Sequence, residues 1–185
     1  MRSQPRSPLA IALVFVCLVL GALGDGWVVG NALAQPDAGT LRAPPASAIT
    51  PPLADFEARA QLLFEAILRD DPTQAKEVFF PRDAFLLVKA MPNPGRYYDK
   101  LYARFEQDIH ALHRMVAQDA RFERFELSKR GGHVKPGEEG NRLPYWAARH
   151  CFLHYRERGE AKQLEVRVLI TWQERWYVIH LSEFH

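Results

Sequence analysis

Seven histidines and two cysteines carry most of the reactive chemistry in this chain of 185 residues. Glu106, His110 and His113 have the i, i+3 and i+4 spacings that helical metal ligands use. They lie well off the apolar stripe of their own helix, and the next position on their face is Ala117, which ligates nothing. They read as a solvated face, and no metal is expected. His150 and His154 point the same way on a strand but stand ~13 Å apart, too far to share one ion. His150 by itself alternates with Trp146, Ala148, Phe152 and His154 onto one strand face. An imidazole among such neighbours can serve as general acid or base, or sit as a core histidine bonded to backbone or to a tyrosine. A one-residue change of register would bring Arg149 and Cys151 to that face instead. Cys151 and His150 form no dyad, because adjacent strand residues face opposite ways. Gly131-Gly132 and Gly137…Gly140 precede no helix and no Gly-Lys-Ser/Thr, so they make no phosphate loop. Ser128 and Ser182 lack a nucleophile context.

Apolar spacing supplies the elements that would hold these groups. Phe56, Ala60, Leu63, Phe64 and Ile67 follow a helical period, and Pro72 stops that helix after Asp70. A second short helix is predicted from Asp71-Pro72 to before Phe80-Pro81. The run Phe85-Leu86-Leu87-Val88 fits strand or helix equally. Asn93 as cap and Pro94 at the first position open the longest helix, whose stripe is Leu101, Phe105, Ile109, Leu112 and Val116. From Phe122 the period becomes two. Strands are predicted over 122–134, 145–156, 164–172 and 175–183, joined through residues 136–141, Gly159 and Gln173-Glu174.

A two-residue turn at Gln173-Glu174 sets Trp172 opposite Arg175. Val166, Val168 and Ile170 then share a core face with Leu181, Ile179 and Tyr177. Arg167 and His180 become neighbours on the other face, flanked by Glu165 and adjoined by Leu169, Trp176 and Val178. Aromatic and aliphatic groups of this kind mark an interface, here one between two copies of the chain.

The N-terminus speaks of address. An apolar run over residues 9–20 follows Arg2 and Arg6 and precedes Ala32-Leu33-Ala34, the pattern of an export signal. Residues 1–34 are therefore expected to be a signal peptide, and the protein periplasmic or secreted; the alternative is an uncleaved membrane anchor over residues 9–29. Residues 35–52 hold five prolines and almost no large apolar side chains, the composition of a disordered tether. Residues 53–185 then form a single domain. Without residues 1–34 the charge is 22 Lys+Arg (24 less Arg2 and Arg6) against 21 Asp+Glu (22 less Asp25), which excludes the strong basic excess of nucleic-acid binders. Cys151 would be the mature chain's one cysteine, so stability must come from an apolar core.

Helix, short helix, apolar run, long helix and four antiparallel strands ending in Arg175-Trp176-Tyr177-Val178-Ile179-His180-Leu181 resemble the NTF2-like (cystatin-like α+β) superfamily. The tryptophan-containing last hairpin and the Phe79-Phe80-Pro81 step carry that likeness, which is one of element order across the whole domain. It implies an α+β fold with a strongly curved antiparallel sheet around the long helix, a cone with a pocket at its open end. In such a cone the segment 136–146 rims the mouth, bringing Tyr145 and Trp146 towards a ligand. The lining residues expected are Tyr98, Trp146, His150, Trp172 and Tyr177. The function expected is non-catalytic binding of a small apolar or amphipathic ligand or of a protein partner, with no cofactor. The alternatives are a cofactor-independent isomerase or lyase using His150 as base, and a structural homodimer through Arg167, Leu169, Trp176, Val178 and His180.

Overall fold

A computed structural model describes residues 53–182; the expected signal, anchor and tether lie outside them. The described residues hold three α-helices, two short 3₁₀ helices and five strands in one antiparallel sheet that does not close.

Helix α1 (Leu53–Arg69) turns the spacing of Phe56, Ala60, Leu63, Phe64 and Ile67 into one fully buried stripe. Asp70, at φ 55°, ends it, and the Asp71 carboxylate accepts from the Thr73 backbone N–H (3.1 Å) and the Gln74 amide (2.8 Å) to open a 3₁₀ helix, Pro72–Val78. Phe79-Phe80 then runs extended beside the last strand, with the Phe80 N–H donating to the Val178 carbonyl at 3.0 Å. That bond covers a sheet edge that would otherwise stay open.

The ambiguous run is a helix, α2 (Arg82–Val88), with Pro81 at its cap. The long helix, α3 (Pro94–His113), begins at Pro94 as expected, but Asn93 makes no side-chain capping bond. What Asn93 supplies is tolerance of its left-handed backbone, φ 52°. Val116, assigned to the helical stripe, lies beyond the last helical residue yet remains buried.

The strand expected over 122–134 is two strands, β1 (Arg121–Glu126) and β2 (Gly131–Val134), end to end along the same edge of β3 (Tyr145–Glu157). Gly131 makes that close approach: a Cβ there would stand 2.0 Å from the Ala147 carbonyl oxygen. Strand β4 (Glu160–Trp172) is longer than expected, and β5 (Arg175–His180) follows the two-residue turn at Gln173-Glu174. The sheet order is β1-β3-β4-β5. Helix α1 lies against the sheet through Phe56 on Phe125 (ring centroids 4.8 Å) and Phe64 on Tyr155 (5.4 Å). Arg59 reaches further, stacking 4.4 Å over Tyr177 and donating to the Trp176 and Glu77 carbonyls. The Glu157 carboxylate accepts from the Ala117 N–H at 2.9 Å, joining the segment after α3 to the far end of β3.

Two registers depart from expectation. Strands β3 and β4 turn through Arg158 and Gly159 together, pairing Glu157 with Glu160, so Arg149, and not His150, opposes Val168. In β4–β5 the pairs Trp172–Arg175 to Leu169–Val178 follow the expected register, but the next pair is Val168–His180. A bulge at Ile179 absorbs the extra residue.

Candidate functional site

The chain places a cavity of about 260 Å³ between the end of α2, the first turns of α3 and strands β3, β4 and β5. One wall is apolar: Phe85 from α2, Leu101 from α3, Val168 and Ile170 from β4, and Ile179. Tyr97 completes it, stacked on Phe85 at 6.1 Å. The bulge at Ile179 is why Ile179 and His180 both reach this cavity instead of alternating away from it.

The other wall is polar and converges on one lysine. Lys89 follows α2 in extended conformation and pairs as a backbone bridge with Asn141. Its ammonium donates to Asn141 Oδ1 at 2.7 Å, to the Tyr145 hydroxyl at 3.3 Å and to the Glu139 carbonyl at 3.3 Å. The Tyr145 hydroxyl donates to Glu139 Oε2 at 3.0 Å, and Arg149 pairs with Glu139 Oε1. Glu139 takes this place because the short 3₁₀ helix Glu138–Gly140 kinks there, with φ 49°. Arg142 locks the same loop to α2 by donating to the Leu86 (2.8 Å) and Lys89 (2.7 Å) carbonyls.

Burial shapes the electrostatics. It lowers the Lys89 pKa from its ordinary value, an effect that the nearby Glu139 opposes. Burial also raises the Tyr145 phenol and lowers His180, the latter reinforced by the positive charge of Lys89. The arrangement offers donors and cations at one end and an apolar surface at the other, the usual anatomy of a small-molecule site.

None of the five expected lining residues faces this cavity. Tyr98 lines a separate, larger groove of about 670 Å³ with Phe79, Pro81, Arg82 and Tyr102. There its hydroxyl donates to the Phe80 carbonyl at 2.9 Å, and burial pushes its pKa up to about 12. That groove is rimmed by exposed Lys76, Glu77 and Arg82 and has no comparable convergence of buried polar groups. Trp146 packs edge-on against His133 at 5.5 Å, on the opposite side of β3 from Tyr145. Trp172 meets the Phe80 ring at 6.5 Å, and Tyr177 is buried beneath Arg59.

His150 is turned away from the core. Its ring is 31 % exposed, with Nδ1 2.5 Å from Glu165 and 3.3 Å from Arg167. Cys151 occupies the inward position, with no exposure, opposite Val166. Each pairing in β3–β4 is displaced by one residue from the expected register, and with a period of two that displacement exchanges the faces. His150 is also the point where β3 passes from pairing with β2 to pairing with β1, and its φ is 57°.

The five residues expected at a dimer surface are divided as well. Leu169, Trp176 and Val178 are already buried within the single chain. Arg167 joins the Glu165–His150 cluster while His180 lines the cavity, so the bulge has separated the expected cross-strand pair. On α3, His110 pairs with Asp70 at 2.6 Å and His113 with the Ile67 carbonyl at 3.0 Å; both brace the end of α1.

Sequence reasoning reached Tyr145 through the loop that was expected to rim a pocket, but it passed over Lys89, Glu139 and Tyr97. A lysine directly after the apolar run 85–88 was the available signal for the first. Nothing local marks Glu139. Compared with known proteins, the chain matches no family model, no curated protein and no solved structure.

Proposed function

We propose that this is an exported binding domain of NTF2-like form that holds a small amphipathic ligand in the cavity between α2, α3 and the β3–β4–β5 surface. The order of elements and the tryptophan-containing last hairpin support the NTF2-like reading. The export pattern of residues 1–34 and the proline-rich composition of residues 35–52 support a tethered, extracytoplasmic domain. One observation carries the ligand: an apolar wall faces Lys89, Tyr145 and His180 across about 260 Å³. At ~30 Å³ per water that space matches eight or nine waters, the size of a single ring or a short chain.

Binding is favoured over an isomerase or lyase built on His150, because that imidazole lies outside the cavity and is engaged by Glu165 and Arg167. The test is native mass spectrometry of the exported form, alone and with a panel of short-chain and single-ring amphipaths. A stoichiometric adduct in the native chain, absent from Val168→Phe at similar thermal stability, is expected. Failure of every panel member to bind, with no retained molecule, would remove the reading.

A further inference from the structure

Positive charge in the cavity outweighs negative charge. The cations Lys89 and Arg149 line it together with His180, whose pKa burial lowers, and Glu139 is the one carboxylate among the described lining residues. Glu139 is already committed at both oxygens, Oε1 to Arg149 and Oε2 to the Tyr145 hydroxyl. Asp108, behind His180, is likewise engaged, by Arg104 at 3.2 Å and by the Ser182 N–H at 3.2 Å.

Lys89 donates its hydrogen bonds only to neutral groups, and the nearby Glu139 carboxylate is held by Arg149 and the Tyr145 hydroxyl. The three acceptors of Lys89 are an amide oxygen, a phenol and a carbonyl, and among the described residues no carboxylate comes within 4.0 Å of its nitrogen. A half-buried ammonium gains from a counter-charge more than a fully exposed lysine does.

We infer that the ligand is a small carboxylic acid, bound as its anion, with the carboxylate seated at Lys89 beside His180 and the apolar body against Leu101, Val168 and Ile170. This rests on the binding reading above and names the ligand's class. The volume of about 260 Å³ suits a medium-chain or monocyclic acid.

Isothermal titration of the full chain with octanoate, octan-1-ol and octylammonium separates head group from tail. Octanoate is expected to bind at least ~10-fold more tightly than octanol at neutral pH, a difference of about 1.4 kcal/mol, and octylammonium more weakly than either. Lys89→Met should bring the octanoate-to-octanol ratio near one, and Lys89→Arg should keep the preference. Octanol binding as tightly as octanoate, or octylammonium binding best, overturns the anion assignment and leaves the binding reading standing. A native chain that takes up none of the three and retains no ligand of its own removes both.

Discussion

The Lys89 ammonium lies 2.7 Å from the Asn141 side-chain oxygen, across the backbone bridge that joins the end of α2 to the loop before β3. These residues are 52 positions apart in the chain, and their contact gives the cavity its polar end. Because the bridge also fixes the Lys89 backbone, the ammonium is held near β5, where its field reaches His180.

That field has a measurable consequence. Burial first, and then Lys89, lower the His180 pKa below its ordinary value, with Asp108 opposing them. By NMR titration, His180 should protonate at a lower pH than a model imidazole at ~6.5, and Lys89→Met should move its midpoint upwards. The sign for stability follows from the unfolded chain taking up the proton first. His180's contribution is complete above pH ~6.5 and is lost as pH falls through the folded-state value. A His180 midpoint at or above that of a free histidine contradicts this placement.

The β4–β5 turn carries two non-glycine residues at positive φ, Gln173 at 48° and Glu174 at 63°. Both lie in the left-handed region that Asn-Gly accepts most readily in a two-residue hairpin. The double substitution Gln173→Asn, Glu174→Gly should raise stability by about 1 kcal/mol in urea unfolding, without changing the m-value. Destabilisation would mean that the turn has another geometry.

Cys151 is fully buried, and desolvation pushes its thiol up to about 11. In a Cys17→Ser background it should resist a disulfide reagent in the folded state and react once urea unfolds the chain. Cys151→Ser should cost about 1–3 kcal/mol, since the hydroxyl replaces a weakly polar group in the core. Rapid labelling of the native protein would show that β3 presents its other face inwards.

Strand β3 shows why some of the site could be read and some could not. Its even positions carry Trp146, Ala148 and Phe152, and its odd positions carry Tyr145, Ala147, Cys151 and Leu153. With large apolar groups on both sides, alternation alone names no inner face. The inward side follows from the turn, and the turn uses Arg158 as well as Gly159, both at positive φ. The same lesson appears at Ile179, where one bulged residue sends His180 into the cavity and leaves Arg167 outside it.

Spacing along the chain was enough to specify α1, the start of α3 at Pro94 and the tight β4–β5 hairpin, because each depends on propensities and contacts within a few residues. The meeting of Lys89 with Asn141 and Tyr145, the kink that presents Glu139, and the outward turn of His150 belong to the tertiary structure. They depend on segments some 50 residues apart and on strand registers, which a single added residue reverses and which no local pattern encodes.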